Sequence, residues 1–96
     1  MRDQTLHDEL VEIEALTDLQ KRTLLSIYEA PNEGLRLWQV QKKVSATKSE
    51  VQDALRELLA KGYIGILSMG GGPKYHKVAS KIDIVLALQA HDTAER

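Results

Sequence analysis

Residues 44–64 run Val44-Ser-Ala-Thr47-Lys-Ser-Glu50-Val-Gln-Asp-Ala-Leu55-Arg-Glu-Leu-Leu-Ala60-Lys-Gly-Tyr-Ile64. Thr47 and Glu50 stand three apart ahead of an apolar run, the spacing of a capping box, and so predict where a helix begins. Val51, Leu55, Leu58 and Leu59 recur at helical spacing and form one apolar stripe. Gly62 supplies the stop. Lys48, Ser49, Gln52 and Arg56 turn away from the stripe, leaving a polar face of flexible donors.

Working outward, only Ser45 and Ala46 separate this helix from a shorter predicted one, Trp38–Val44, in which Val40 and Val44 lie four apart. Two helices of about two and four turns joined by so short a turn have the form of a helix-turn-helix. Leu35-Arg-Leu37 before them is long enough only for an edge strand or an extended lead-in. Upstream, Thr17-Asp-Leu-Gln20 repeats the capping-box spacing and predicts a helix burying Leu24, Ile27 and Tyr28, ended by Pro31 with a turn through Asn32 and Gly34. The first segment, about Asp3 to Leu16, places Leu6, Leu10 and Ile13 on one face of an acidic helix.

Downstream, Tyr63–Ser68 alternates β-branched and small residues, and Tyr75–Val78 is a second strand candidate. Met69-Gly-Gly-Gly-Pro-Lys74 between them predicts an exposed hairpin loop. His76 shares a face with Val78 by period-two alternation and reads as a partly packed histidine. Ser80 and Asp83 predict the cap of a last helix running to about His91, ahead of a fraying end. Ile82, Ile84, Val85, Leu86 and Leu88 cover more than one of its faces, so it needs two surfaces to bury against, and a second subunit is the simplest second surface. Leu6, Leu10, Ile13, Ile84, Val85 and Leu88 are accordingly the expected dimer contacts.

The 96 residues suit one small core. The expected class is mainly α with a small β-hairpin, divided into a dimerising helix (1–16), a central domain (17–79) and a second dimerising helix with its tail (80–96). No run of about eighteen apolar residues occurs and the start lacks a secretion signal, so a cytoplasmic location is expected. With no cysteine, disulfides and thiolate chemistry are excluded. Three scattered histidines assemble no catalytic set, so no enzyme activity and no cofactor are expected. His91, Asp92 and Glu95 lack a second ligand cluster and predict no metal site. Gly70–Lys74 is no nucleotide-phosphate loop, because Lys74 opens a strand rather than a helix. Trp38 reads as core or a subunit contact.

Net charge is −1, yet residues 1–20 hold six acids against one arginine, whereas 36–81 hold nine Lys/Arg against three acids. The basic excess surrounds the helix-turn-helix. Residues 19–79 resemble the winged helix-turn-helix domains of small transcription regulators, including the MarR and ArsR types. The likeness rests on Thr47-Lys-Ser-Glu-Val-Gln-Asp-Ala-Leu-Arg-Glu-Leu58, Leu59-Ala-Lys-Gly-Tyr-Ile64, the glycine loop and Lys74-Tyr-His-Lys-Val78. It implies that helix 47–61 enters the major groove of double-stranded DNA and that loop 69–74 is a wing beside the backbone. By that pattern Lys48, Ser49, Gln52 and Arg56 face DNA, with Lys74 and Lys77 reaching phosphates from the wing; Thr47 at the helix start and Lys43 on the bracing helix, as a phosphate contact, complete the expected set. Lys and Arg suit phosphates, Gln suits adenine and Arg suits guanine. Asp53 departs from it, since its carboxylate repels phosphate unless paired. The sequence-level expectation is a homodimeric transcription regulator whose effector is unspecified. The alternatives are a protein-interaction winged helix, or a DNA-binding protein of plasmid partition, replication or chromosome architecture.

Overall fold

The structure is a computed structural model describing residues 2–30 and 33–94; the side chains of residues 2–7, 69 and 91–94 lie outside that description. Five α-helices and one antiparallel hairpin follow in the order α1 (Arg2–Glu14), α2 (Asp18–Glu29), α3 (Leu37–Val44), α4 (Lys48–Ala60), β1 (Ile64–Met69), β2 (Gly72–Lys77) and α5 (Ile82–Ala94), with a 3-10 turn at Ala79–Lys81 leading into α5. Both predicted capping boxes form. The Thr17 and Thr47 hydroxyls accept from the Gln20 and Glu50 amides at 3.1 and 3.2 Å. The Gln20 and Glu50 side chains accept in return from the threonine amides, each at 3.0 Å. Four otherwise orphaned helix-start donors are thereby satisfied.

α2 is the central post. Its Leu24 and Ile27 are buried in one cluster with Val40 and Val44 of α3, Val51, Leu55 and Leu58 of α4, and Tyr63 and Ile64 at the head of the hairpin. Tyr28 ties the layers at their edge: its hydroxyl donates to the Tyr63 carbonyl at 2.5 Å and accepts from the Val78 amide at 3.1 Å. Burial pushes this phenol up from its ordinary value, against the opposing effect of its bond to Val78.

The hairpin corrects the expected loop. Only Gly70 and Gly71 lie outside the ladder, which pairs Met69 with Gly72, Ser68 with Pro73 and Leu67 with Lys74. Proline is tolerated here because of which edge its nitrogen occupies. Leu35 and Tyr75 exchange both backbone hydrogen bonds, at 2.8 and 2.7 Å, so Tyr75 directs its amide away from β1. Pro73, two residues earlier, points its nitrogen the same way and removes no bond of the β1–β2 ladder. Gly34, at φ +87°, admits the Leu35 crossing, since a Cβ there would collide with the Tyr75 carbonyl. Pro31 and Asn32 of the expected turn lie outside the described residues. α5 starts two residues after the expected Ser80 cap, behind the 3-10 turn.

The terminal helices also depart from expectation. Ile13, Ile84, Val85 and Leu88 are buried in the same cluster as α2 and α4, with Leu10 packed partly against it. These four side chains are covered by their own chain and are not a free dimer surface. The Leu6 side chain lies outside the described residues. α5 thus finds its first burial surface within the chain, against α1 and α2. Lys81 completes the join, reaching Glu9 of α1 at 3.7 Å and lying 5.8 Å from the centre of the Tyr63 ring. Among the described residues, the large apolar side chains left open on these helices are Val11 and Leu86, each 55% exposed. Trp38 is 61% exposed and is not core.

One buried polar atom stands out. The Thr23 hydroxyl, on the inner face of α2, is fully buried and among the described residues has no hydrogen-bond partner. An unsatisfied buried hydroxyl costs about 1–3 kcal/mol. Thr23→Val is therefore expected to raise unfolding free energy by about 1 kcal/mol, read from urea midpoints at unchanged slope; a destabilised variant would show that the hydroxyl is satisfied in solution.

Candidate nucleic-acid interface

α4 presents its polar face because its other face is taken up by the core. Val51, Ala54, Leu55 and Leu58 are buried, and rotation by 100° per residue leaves Lys48, Ser49, Gln52 and Arg56 exposed. α3 precedes it through a turn in which Ser45 adopts the left-handed conformation, φ 55°. Arg22 of α2 reinforces that corner by donating to the Val44 carbonyl at 3.1 Å, a cation at the negative end of α3. Sequence reading missed Arg22, because nothing in its spacing marks a contact with a residue 22 positions away.

The exposed surface of α4 is divided by charge. Lys48, Gln52 and Arg56 form one row at four-residue spacing, whereas Glu50, Asp53 and Glu57 form the neighbouring row. The acidic row lines an open groove of about 260 Å³ with Thr17, Leu19 and Gln20 of α2. The charge of that flank opposes a polyanion, whereas the other flank carries the two cations Lys48 and Arg56. Asp53 meets Arg56 at 3.3 Å, so the carboxylate that departs from the regulator pattern is paired with the face's own arginine. Both partners are exposed, and such a pair contributes at most about 1 kcal/mol, leaving Arg56 free to exchange it for another anion.

The other expected contacts disperse. Lys43 is exposed in the last turn of α3, across the Ser45–Ala46 corner from Thr47. Thr47 is exposed, with its oxygen engaged as the cap. Lys74 and Lys77 lie on opposite faces of the hairpin, being three residues apart in one strand. Lys74 is near the tip, opposite Leu67; Lys77 is at the foot, opposite Ile64. Lys77 lines a pocket with Leu25, Tyr28, Glu29, Ile82 and Val85, between α2 and α5. That position separates it from the wing tip. His76 is partly buried over Gly65, where a Cβ would collide with the imidazole, and its Nδ1 lies 3.1 Å from the Lys77 carbonyl. The side chains of His91 and Asp92, and Glu95 altogether, lie outside the described residues.

The hairpin tip holds a second contact that spacing does not reveal. Arg36, immediately before α3, donates from its two terminal nitrogens to the Gly72 and Gly70 carbonyls at 3.2 and 3.3 Å. Its backbone amide donates to the Gln39 side chain at 2.8 Å.

Three helices, a short bridging residue and a two-stranded hairpin in this arrangement define a winged helix-turn-helix. No family model matches the chain, and no curated protein shows significant sequence similarity to it. Among solved structures it is similar to Staphylococcus aureus MepR in complex with DNA, at TM-score 0.74 and 23% identity over 99% of this chain and 80% of that one. It is also similar to MepR described as the regulator of the multidrug efflux pump MepA, at TM-score 0.75 and 22% identity over 97% and 75% of the respective chains. A MarR family transcription regulator gives TM-score 0.75 and 16% identity, covering 96% of this chain and 61% of that one. The fold is therefore the MarR-like winged helix, with α1 and α5 as its additional terminal helices. Among the described residues, no helix is long and apolar enough to cross a membrane.

The cap of α4 is sensitive to acid. Bonds from the Thr47 amide and side chain hold the Glu50 carboxyl below its ordinary value, outweighing a small opposing effect of burial. A depressed folded-state value means that the charge stabilises the fold above the ordinary glutamate range, and that this is lost as pH falls through the depressed value. Glu50→Gln is expected to be less stable than the parent at pH 7, with the difference closing in acid. Parallel stability profiles across that range would contradict this assignment.

Proposed function

We propose that this protein is a homodimeric, double-stranded DNA-binding transcription regulator that reads its site with the Lys48–Gln52–Arg56 row of α4 in the major groove. The observation that carries the reading is the exposed row itself, held on a helix whose opposite face is buried and whose acidic row lies to one side, joined to it through the exposed Asp53–Arg56 pair. Gln and Arg are suited to bidentate bonds with adenine and guanine, and Lys48 to phosphate. The hairpin tip serves as the wing, with Lys74 its phosphate partner. The likeness in fold to MepR, which was solved in complex with DNA, supports DNA as the partner.

Selection from a random duplex pool, followed by titration, tests the reading. A preferred, roughly palindromic site is expected, with affinity falling steeply as salt rises. Gln52→Ala with Arg56→Ala is expected to cost about 1–3 kcal/mol for each base no longer read, while leaving the fold intact. Absence of binding to any duplex at low salt would contradict the reading. Loss of a protein partner alone in this variant would favour the protein-interaction alternative.

For the dimer, the support is the open apolar surface at Val11 and Leu86 on the two terminal helices, beyond what the monomer core consumes. Because Leu86 is exposed within the chain, Leu86→Glu is expected to leave the monomer folded and to convert a sedimenting dimer to monomer at tens of micromolar, about the range of ordinary dimer association. A parent chain that sediments as monomer there would remove the dimer.

A further inference from the structure

The wing is a two-stranded ribbon ending in three glycines, and an isolated ribbon of this kind is marginally stable in water. Its middle is fixed by the paired backbone bonds between Leu35 and Tyr75. Its tip is fixed by the next residue in the chain. The Arg36 guanidinium spans the turn, one terminal nitrogen on the Gly72 carbonyl and the other on the Gly70 carbonyl. Gly71 lies beneath it at φ +92°, where a Cβ would stand 3.3 Å from both nitrogens. Both the left-handed backbone and the close approach suit glycine there. Arg36 is itself anchored, being followed directly by α3 and held through its amide by Gln39. Two consecutive residues ahead of the helix-turn-helix thus grip the wing at mid-strand and tip.

We infer that Arg36 is the positioning residue of the wing: its forked guanidinium sets the attitude of the Gly70–Gly72 turn relative to α3 and α4, and thereby the register in which Lys74 and the recognition row engage one duplex. The inference rests on the DNA-binding reading. Its chemistry is specific to arginine. Two carbonyls met by two different nitrogens require a planar fork, which a lysine ammonium, a single nitrogen on a flexible stem, does not reproduce. Pre-ordering matters because ordering a mobile turn at the moment of binding subtracts from affinity.

The test compares Arg36→Ala and Arg36→Lys with the parent full-length chain, by amide ¹⁵N relaxation without DNA and by titration with a duplex selected by the parent. The expected result is a loss of the heteronuclear NOE at Gly70–Gly72 in both variants, unchanged values along α4, and affinity weaker by on the order of tenfold in both. Restoration of rigidity and affinity by Arg36→Lys would overturn the inference, since charge alone would then suffice. Parent-like glycine relaxation in Arg36→Ala would overturn it as well. Mobile glycines with unchanged affinity would refute the positioning role and leave the DNA reading standing. If the parent selects and binds no duplex, the DNA reading fails and the positioning role toward DNA fails with it, while the relaxation data still decide whether the latch exists.

Discussion

The packing of α4 against α2 is the constraint on which the rest depends. Leu24 and Ile27 share a buried cluster with Val51, Leu55 and Leu58, and that burial fixes the rotation of α4 about its axis. Turning the helix by one residue's 100° would place Gln52 in the core and Val51 in water. Burying each such apolar side chain is worth about 1.5–3 kcal/mol, so surface contacts are too weak to change the rotation. The polar face is thereby a by-product of the core. Its charge pattern is then fixed by sequence: acids toward the groove with α2, donors on the other flank.

The wing obeys a different logic. It contributes Tyr63 and Ile64 to the core at its foot, while Ile66 and Leu67 further out are exposed. Tyr75, opposite Ile66, still packs against the core cluster, and beyond it the tip is held by polar contacts from the segment before α3. The Leu35–Tyr75 backbone exchange and the Arg36 fork transmit the placement of α3 to the hairpin, so helix-turn-helix and wing share one anchor. This arrangement also supplies a cation close to a tip whose own residues, from Met69 to Pro73, carry none.

Much of the fold was legible because its signals are local. Thr17–Gln20 and Thr47–Glu50 mark helix starts through bonds spanning three residues, and Gly62, at φ +80°, marks a stop through its own backbone. The polar face of α4 followed from the 3.6-residue period. What escaped was long-range. The apolar excess on α5 looked like a subunit interface, yet Ile84, Val85 and Leu88 find α1 and α2 in the same chain; periodicity reports that a face is buried and is silent on what covers it. The glycine–proline run looked like a six-residue loop, but Pro73 sits where its missing amide faces away from β1. Lys77 was grouped with Lys74 by the winged-helix resemblance, although strand alternation puts them on opposite faces. Arg22 and Arg36 act over 22 and about 35 residues, distances at which no spacing rule operates.

The central claim is that the Lys48–Gln52–Arg56 flank of α4 and the hairpin tip form one DNA-facing surface. Amide chemical-shift mapping with a selected duplex tests it most directly. The largest perturbations are expected at Lys48, Ser49, Gln52, Arg56 and Gly70–Lys74, with the α2 side of the acidic groove, at Thr17 and Leu19, unmoved. Perturbations centred on that groove, or confined to α1 and α5, would contradict it.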